Sequence, residues 1–358
     1  MRDPVLCYHH SGPVEATSRN AKEKVFMKNS ASSIIFPREN GRKVTLRSMA
    51  AELGVSQVTV MRALSGHPNV RPEVREKIVG LASKLGYRLP GRRTGNVAVV
   101  VKADFPGYLA LLLEKLCMEL SLQGLHAVIL PEPDIDCLGD VMFDGIISTT
   151  WAPGFERKYP KNHALPLVSL NTMDNRMDNV YMVSSDESGG ITLGLRYLYD
   201  AGCRRIFFPR PEAIAGNMCS VEREAAYRKF CLERGLDGEG LVVPISGDPE
   251  LLSRVIGNVL DSGIDGIFVP SEKFALPVLK ALRELGVKIP EQISVMGLEC
   301  DFASGFLSPA LTTIRQDYEG LARESVAMLK KLMDGKPVTA SVRLPYRLIE
   351  RESVRKSR

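Results

Sequence analysis

Apolar residues recur at helical spacing in two short stretches between Val44 and Gly66, with a glycine between them. The apolar face of the first predicted helix consists of Leu46, Met49, Ala50 and Leu53, and that of the second consists of Val60, Ala63 and Leu64. Thr45 and Ser56 are placed to cap the two helix starts, and Gly54 permits a sharp turn. The pattern predicts two short helices joined by a tight turn, as in a helix-turn-helix or an ordinary helical hairpin.

A third helix is predicted from Pro72 to Leu85. Proline suits the first helical position, and Glu73 favours a helix N-terminus. The apolar positions of this helix are Val74, Ile78, Leu81, Ala82 and Leu85. Gly86 ends the pattern. The third helix gives the first two a surface to pack on, so residues 43–87 are predicted to form a small all-α domain.

The second helix directs a polar and basic face outward. The residues on this face are Gln57, Val58, Thr59 and Arg62. Side chains of these types can hydrogen-bond to base edges and reach phosphates in a DNA major groove. Residues 42–93 contain 11 Lys and Arg against 3 Asp and Glu, whereas residues 94–358 contain 30 against 35. Positive charge is therefore concentrated in the helical unit, as binding to phosphates requires.

From Asn96 onward, short apolar runs alternate with amphipathic stretches, which indicates parallel α/β units. The predicted strands are Val97–Val101, Leu125–Leu130, Gly145–Ser148, Leu167–Leu170, Val180–Val183, Ile206–Phe208, Leu241–Ile245, Gly266–Val269 and Ile293–Met296. The predicted helices are Tyr108–Gln123, Asp186–Ala201, Ser220–Arg234, Pro249–Asp261, Phe274–Leu285 and Tyr318–Met333. The sequence thus predicts a short linker over residues 88–96 and two doubly wound parallel lobes over residues 97–350.

The composition agrees with a large cytoplasmic protein. With 358 residues, of which 44% are apolar, the chain is long enough for two or three domains. No apolar run is long enough to span a membrane or to serve as a signal peptide. The seven cysteines are odd in number and scattered, and the five histidines form no ligand cluster. We therefore expect reduced thiols, no metal, no cofactor and no membrane association.

The two chain ends are predicted to be tails. Residues 1–42 lack periodicity and are rich in Ser, Asn, Lys and Glu, which predicts disorder. This segment is either a natural basic tail that adds affinity for DNA or an extension upstream of a true start at Met27. The intact mass of the native protein distinguishes the two. Residues 351–358 are predicted to be a second, basic tail.

The pattern VTLxxxAxxxGVSxxTVxRAL followed by VRPEVREKIxxLAxxLGY, from Val44 to Tyr87, resembles the headpiece of the LacI/GalR (lactose-repressor) family of bacterial transcription regulators. By this resemblance, bases are read by Gln57, Val58 and Arg62, and phosphates are contacted by Thr45, Ser56, Thr59 and Tyr87. The resemblance also implies a homodimer or larger oligomer that binds a palindromic operator in double-stranded DNA. Met61 departs from the family, which usually has a small serine there.

The linker is a second departure from the family. In related proteins this segment forms a hinge helix whose apolar side chain enters the minor groove. Here Pro90 and Gly91 oppose a helix, and the segment is several residues short. Leu89 is the remaining candidate for a wedge, and Arg92 and Arg93 are candidates for phosphate contacts.

Shorter motifs extend the resemblance to Glu350 and imply a core similar to periplasmic sugar-binding proteins, with a cleft for a small polar effector such as a sugar. Arg223 matches the family's ligand-binding arginine. Ser271 and Glu272 replace the family's Asn-Asp pair, and Glu299 replaces a late aspartate. These changes imply either a different ligand or the loss of ligand binding, and Arg223 and Glu299 are alternatively solvated surface residues. Trp151 and Tyr108 are candidates for stacking on a sugar, although a lone aromatic residue is more often part of a core.

The resulting prediction is a sequence-specific DNA-binding transcription regulator controlled by a small ligand. The alternative is a cytoplasmic enzyme or ligand sensor on a doubly wound α/β fold without specific DNA binding. The chain contains no G-x-G-x-x-G, G-x-x-x-x-G-K-[ST], G-x-S-x-G or H-E-x-x-H motif, which argues against common enzyme classes.

Overall fold

The computed structural model describes residues 38–39, 42–64, 67–85, 87, 93–102, 107–139, 143–150, 165–172, 180–212, 218–238, 240–299 and 303–356. The residues before 38 are outside this set, so the predictions of a disordered tail and of a start at Met27 remain untested. At the end of that predicted tail, β1 (Arg38–Glu39) pairs with β2 (Arg42–Lys43) in antiparallel orientation. Strands of two residues need no apolar periodicity, which explains why the sequence pattern did not predict them.

The helical unit contains α1 (Leu46–Leu53), α2 (Gln57–Leu64) and α3 (Pro72–Lys84), as predicted. Gly54 follows α1 with φ 64°, a left-handed conformation that glycine adopts without steric cost, and its amide donates to Ala50 O. The three helices enclose a core formed by Val44, Met49, Ala50, Val60, Ala63, Val70, Ile78, Ala82 and Tyr87. The other positions of the predicted inner faces are partly buried against this core, namely Leu46, Leu53, Leu64, Val74, Leu81 and Leu85.

The rest of the described chain alternates between strands and helices. The strands are β3 (Asn96–Val101), β4 (His126–Pro131), β5 (Gly145–Ser148), β6 (Leu167–Leu170), β7 (Tyr181–Ser185), β8 (Ile206–Pro211), β9 (Val242–Ile245), β10 (Gly266–Val269), β11 (Ser294–Leu298), β12 (Thr312–Arg315), β13 (Ser341–Leu344) and β14 (Arg347–Ile349). The helices are α4 (Gly107–Leu122), α5 (Glu187–Asp200), α6 (Met218–Arg234), α7 (Pro249–Asp261), α8 (Glu272–Glu284), α9 (Ala303–Phe306) and α10 (Tyr318–Met333), with a 3-10 helix over Glu132–Gly139.

These elements form two lobes, each built on a six-stranded sheet. The first sheet has the order β13-β7-β6-β5-β3-β4 and is parallel throughout. The second has the order β14-β12-β11-β10-β8-β9 and is parallel except that β14 runs antiparallel to β12. Helices α4 and α10 cover one face of the first sheet. On the second sheet, α5 and α6 cover one face and α7 and α8 the other. The prediction of two doubly wound lobes is confirmed.

The chain passes between the lobes three times, after β7, after β12 and between β13 and β14. Helix α10 and β13 therefore belong to the first lobe although they follow the whole second lobe in sequence. Asn171 joins two of the crossing segments, because its side-chain nitrogen donates to Gln316 Oε1 at 2.6 Å and its Oδ1 accepts from the Ser185 amide at 2.9 Å. These bonds tie the first lobe to two of the three crossings.

The sequence pattern missed the strands near the C-terminus. Strand β12 begins with two threonines, and β13 and β14 are half exposed and contain Arg343 and Arg347. The predicted basic tail after residue 350 also differs from the structure. Ser353 and Val354 are buried, and the Ser353 hydroxyl donates to Val295 O at 2.6 Å. This segment completes the second lobe, and its few apolar residues gave no periodic signal.

Candidate DNA-binding surface and ligand cleft

The outward face of α2 carries four exposed side chains: Gln57, Val58, Met61 and Arg62. Val60 and Ala63, on the opposite face of the same helix, are buried against α1 and α3. Because residues three and four positions apart lie side by side on a helix, the four exposed residues form one continuous patch. We call it the α2 patch. It contains all three residues predicted to read bases, together with Met61.

The starts of α1 and α2 are both capped as predicted. The Ser48 amide donates to Thr45 Oγ1 at 3.1 Å, and the Thr45 amide donates to Ser48 Oγ at 2.9 Å. The Thr59 amide donates to Ser56 Oγ at 3.0 Å, and the two hydroxyls lie 2.8 Å apart. Thr45, Ser56 and Thr59 thus lie at the N-termini of α1 and α2, where helix dipoles and amide groups favour anions such as phosphates.

Tyr87 occupies a different setting from the other predicted phosphate contacts. Its ring is part of the headpiece core and the residue is 4% exposed. Burial raises the pKa of Tyr87, and a hydrogen bond from the backbone of Leu46 acts in the opposite direction. The structure therefore brings the Tyr87 hydroxyl to the start of α1, next to Thr45, while most of the side chain packs inside.

Arg93, the first described residue of the linker, forms an ion pair with the core. Arg93 Nη2 donates to Asp334 Oδ1 at 2.6 Å, at the end of α10. Hydrogen bonds from Arg93 and then from Lys336 lower the pKa of Asp334. In this structure Arg93 is paired with a carboxylate. Leu89 and Arg92, the other linker candidates, lie outside the described residues.

Arg223, the predicted ligand-binding arginine, is buried in an ion pair in the second lobe. Its Nε donates to Glu187 Oε2 at 2.6 Å and its Nη1 donates to Pro270 O at 2.9 Å. The Tyr346 hydroxyl donates to the same Glu187 oxygen at 2.9 Å. Burial acts to lower the pKa of Arg223, but the Glu187 carboxylate raises it well above its usual value. The interpretation of Arg223 as a solvated surface residue is therefore wrong.

Local sequence explains how Glu187 and Tyr346 meet. Asp186 caps α5 by accepting from the Gly189 amide at 3.0 Å, which fixes Glu187 as the first helical residue. A Cβ atom on Gly190 would lie 2.4 Å from the Tyr346 ring, so glycine is needed there for the close approach. Glu187 lies at the end of the first crossing between the lobes, and Tyr346 lies in the third. The cluster of Glu187, Arg223 and Tyr346 thus links two crossings to the second lobe.

Glu299, the predicted late acid, is also held by internal partners. Arg351 Nη2 donates to Glu299 Oε1 at 3.0 Å, and the Thr313 hydroxyl donates to Glu299 Oε2. The Glu299 side chain is 8% exposed, so it is not a solvated carboxylate. Arg351 Nη1 also donates to Leu311 O at 2.7 Å. A ligand that reached Glu299 would therefore meet a carboxylate that is already paired.

Ser271 and Glu272 lie at the start of α8, where α8 contacts α4 of the first lobe. Burial, and then the Glu272 carboxylate, raises the pKa of Tyr108 in α4. The same two causes raise the pKa of Tyr318 at the start of α10. Glu272 therefore lies near aromatic residues of the first lobe. The region between the lobes combines a buried ion pair, a carboxylate and two tyrosines, a mixture that suits a small polar ligand.

Cys219, near the start of α6, lies close to this ion pair. Burial, and then the nearby Glu187 carboxylate, raises the pKa of Cys219 to about 12, so its thiol stays protonated at neutral pH. Within the described residues, no group of three or more His, Cys, Asp or Glu side chains could hold a metal ion. Nor does any described helix combine the length and apolar character needed to cross a membrane. Trp151, the other stacking candidate, lies outside the described residues.

The sequence has curated relatives along most of its length. Residues 195–354 match the family model of the periplasmic binding protein-like domain. The HTH-type transcriptional regulator CelR of Thermobifida fusca is 27% identical over 335 residues, which are 86% of this chain and 96% of CelR. The HTH-type transcriptional regulator GntR of Pseudomonas aeruginosa is 26% identical over 346 residues, 88% of this chain and 97% of GntR.

Solved structures agree with the sequence comparison. A complex of the transcriptional regulator CelR with cellobiose superposes with a TM-score of 0.63 at 25% identity and covers 87% of this chain and 100% of that chain. Along most of its length, the chain is therefore similar to transcription regulators of the LacI/GalR family. A similar fold is seen in the Lac repressor dimer bound to operator and an anti-inducer, with a TM-score of 0.63, 21% identity and coverage of 87% of this chain and 99% of that chain.

The residues predicted to contact DNA and those predicted to contact a ligand form two separate groups in the structure. Ser56, Gln57, Val58, Thr59 and Arg62 lie on α2 or directly before it, whereas Thr45 caps α1 and Tyr87 packs in the headpiece core. Among the predicted ligand residues, Arg223 and Glu299 each have an internal partner, and Ser271 and Glu272 lie between the lobes. Sequence reasoning missed the partners, Glu187, Tyr346 and Arg351. One local feature of the sequence could have drawn attention to Glu187. It directly follows the capping residue Asp186, so it is the first residue of a helix.

Proposed function

We propose that this protein is a transcription regulator of the LacI/GalR family that binds a palindromic operator as a homodimer or larger homo-oligomer and responds to a small polar effector, such as a sugar. The observation that carries the proposal is the presence of an exposed α2 patch beside two capped helix starts in the same chain as a two-lobed binding-protein-like core. The relatives are transcription regulators, so the enzyme alternative has no support from them.

The headpiece supplies both kinds of contact that sequence-specific binding needs. Gln57 and Arg62 are exposed on α2 and carry groups that hydrogen-bond to base edges in the major groove. Thr45, Ser56 and Thr59 lie at helix N-termini that position phosphates and so fix the register of the protein on the duplex. Because operator DNA must be reached, the compartment that fits the proposal is the cytoplasm.

The core supplies the ligand response. In the relatives, CelR is found with cellobiose and another regulator with ribose. In this chain we assign ligand contact to Arg223, Ser271, Glu272 and Glu299. Arg223 and Glu299 then act through groups already tied to Glu187 and Arg351, so the ligand would bind to organised ion pairs rather than to isolated charges. A neutral polyol suits such a site, because it can hydrogen-bond to both members of a pair without adding charge.

Signal transmission follows from the three crossings between the lobes. A ligand that binds both lobes favours a closed arrangement, and closure must rotate the crossing segments around Asn171 and Tyr346. Helix α10 begins with Tyr318 at the region between the lobes, and Asp334 directly after its last residue holds Arg93 of the linker. Lobe closure and headpiece position are therefore connected through one rigid helix.

The first test is selection of bound sequences from random duplex DNA by the purified protein in moderate salt. We expect a palindromic consensus with half-sites about one helical turn apart. Arg62→Ala should lose about 10- to 100-fold in discrimination at one symmetric base position. Lys84→Ala, which removes an equal charge at the end of α3, is the control and should weaken binding evenly on all sequences. Salt-sensitive binding without any consensus would contradict the proposal.

The effector is tested by the shift in thermal unfolding with a panel of mono- and disaccharides. A ligand that binds the core must change operator affinity by the same factor by which operator DNA changes ligand affinity. We expect at least one sugar to show this reciprocity and Glu272→Gln to reduce it. A sugar that raises the unfolding temperature without any change in operator affinity would contradict its role as the effector.

A further inference from the structure

The α2 patch contains two large apolar side chains that cannot form hydrogen bonds to base edges. Val58 and Met61 are 50% and 43% exposed, and they lie three positions apart, so their side chains are neighbours. Gln57 and Arg62 flank them on the same face. The patch thus has an apolar centre with a polar group on each side. It suits a binding partner whose surface also combines an apolar group with polar groups.

We propose that Met61 is a specificity-determining residue that, beside Val58, packs against the 5-methyl group of a thymine in the major groove. This inference rests on the proposed function and names one base that the headpiece recognises. The major-groove edge of a thymine offers an acceptor oxygen and one methyl group, so apolar contact with that methyl distinguishes it from the other three bases.

The position of Met61 on α2 supports contact with a base. Met61 belongs to the exposed patch with Gln57 and Arg62, and not to the capped helix start where Ser56 and Thr59 lie. Long side chains on a helix lean toward its N-terminus, so Met61 covers the turn that holds Gln57 and Val58. The N-terminal half of a recognition helix is the part that lies against base edges. An unbranched thioether adapts its shape to such an edge.

The surroundings favour DNA over another protein as the occupant. Two side chains are far smaller than the roughly 800 Å² per partner of a stable protein interface. Residues 42–93 also carry a strong excess of positive charge, with 11 basic against 3 acidic residues. A small apolar surface within a strongly basic unit matches a methyl group that is surrounded by phosphates.

The test compares thymine with deoxyuridine, which lacks only the 5-methyl group, at each thymine of the selected operator in turn. We expect one symmetric thymine whose replacement weakens binding of the unmodified protein about fourfold per half-site, the effect of one buried methyl group. Met61→Ala should bind both duplexes equally. Met61→Leu should restore the difference, because leucine keeps a large apolar side chain at this position.

Val79→Ala is the matched control. Val79 is an exposed apolar residue of the same domain, 38% exposed on α3, outside the α2 patch. It should leave the difference between thymine and deoxyuridine unchanged. Circular dichroism and thermal unfolding of each variant confirm that the headpiece remains folded, which is expected because Met61 contributes little to the core.

Three outcomes would overturn the assignment. In the first, no deoxyuridine replacement weakens specific binding. In the second, the fourfold difference between thymine and deoxyuridine persists in Met61→Ala. In the third, that difference disappears in Val58→Ala but persists in Met61→Ala, which would assign the methyl contact to Val58. Failure of the proposed function is a separate result, since the unmodified protein would then show no sequence preference in the initial selection, and the assignment to Met61 would fall with it.

Discussion

Arg223 and Glu187 form an ion pair whose side chains are 10% and 4% exposed, within a cluster completed by Tyr346. A buried charge that loses its partner is costly, whereas replacing both charges together is often neutral. The pair therefore helps to hold the second lobe together, and Arg223 is in addition proposed to contact a ligand. Substitutions at Arg223 cannot be interpreted as ligand effects until the structural role has been measured.

We expect Arg223→Met to lower the free energy of unfolding by about 3–5 kcal/mol, because it leaves the Glu187 carboxylate buried and unpaired. The double variant Arg223→Met with Glu187→Gln should recover more than half of this loss, because no uncompensated charge remains. Urea denaturation followed by circular dichroism measures both values. A loss below about 1 kcal/mol in the single variant would show that water reaches Glu187 and that the pair is not structural.

Residues differ in how far sequence reveals their roles. Thr45 and Ser56 were predicted as caps because a cap depends on neighbours within three positions, and the structure has both bonds. The partner of Arg223 was not predicted, because Glu187 is 36 positions away and meets it only after the second lobe has folded. An ion pair between residues far apart in sequence cannot be predicted from the spacing of nearby residues.

At the scale of elements, the start of α2 has two functions that substitution can separate. Ser56 caps the helix, and it is also predicted to contact phosphate. Alanine removes the cap, whereas aspartate keeps it and adds a negative charge that suits a helix N-terminus but repels phosphate.

We expect Ser56→Ala to lower the free energy of unfolding of the headpiece by about 1 kcal/mol. Ser56→Asp should retain this stability and still bind operator DNA at least tenfold more weakly, because a carboxylate meets a phosphate there. Thermal unfolding and operator titration of the two variants test this. Equal DNA affinity for Ser56→Asp and the unmodified protein would mean that no phosphate approaches this helix start.

The end of α10 is a second element whose charge matters. The pKa of Asp334 is lowered chiefly by the hydrogen bond from Arg93, and less by Lys336. A lowered pKa means that the pair forms fully above the pKa of an unstructured aspartate, about 3.9, and is lost as the pH falls through the lowered value. The attachment of Arg93 to α10 is therefore intact at neutral pH.

We expect Arg93→Ala to raise the pKa of Asp334 toward its ordinary value, and Lys336→Ala to raise it less. Titration of the side-chain carboxyl group by carbon-13 NMR measures both changes. If Lys336→Ala had the larger effect, the charge of Asp334 would be set within the turn after α10 and the linker would not be held through Arg93.

The elements that were predicted correctly share one property, a clear pattern of apolar residues, either continuous in a buried strand or at helical spacing. Strands β5, β6 and β10 are buried along their whole length, and their bounds were predicted without error. Strands β13 and β14 lie at sheet edges with charged side chains, so their identity depends on the strands that they join. Such edge strands are specified by the rest of the fold and not by their own residues.

At the scale of the whole molecule, both lobes depend on the last stretch of the chain. Strand β13 completes the first sheet, β14 completes the second, and Ser353 and Val354 are buried behind it. Tyr346, between the two strands, supplies a hydrogen bond to the Glu187 carboxylate. Neither lobe can reach its final packing without residues beyond 335.

We expect a chain that ends at Gly335 to aggregate, because β7 and β12 lose their neighbouring strands and apolar surface beneath Tyr346 becomes exposed. A chain that ends at Lys356 is the control and should remain monodisperse. Size-exclusion chromatography and circular dichroism compare the two. Cooperative unfolding of the shorter chain would show that each lobe is stable without its last strand.

The late return of α10 and β13 to the first lobe has a consequence for biosynthesis. A ribosome adds about 5–20 residues per second, so the second lobe takes on the order of ten seconds to emerge after β7. During that interval the first sheet lacks the helix that covers part of its apolar face. Residues 42–87 leave the ribosome long before this and already contain all three headpiece helices. Every newly made chain therefore passes through a stage in which its headpiece is complete while one face of its first sheet still lacks part of its cover.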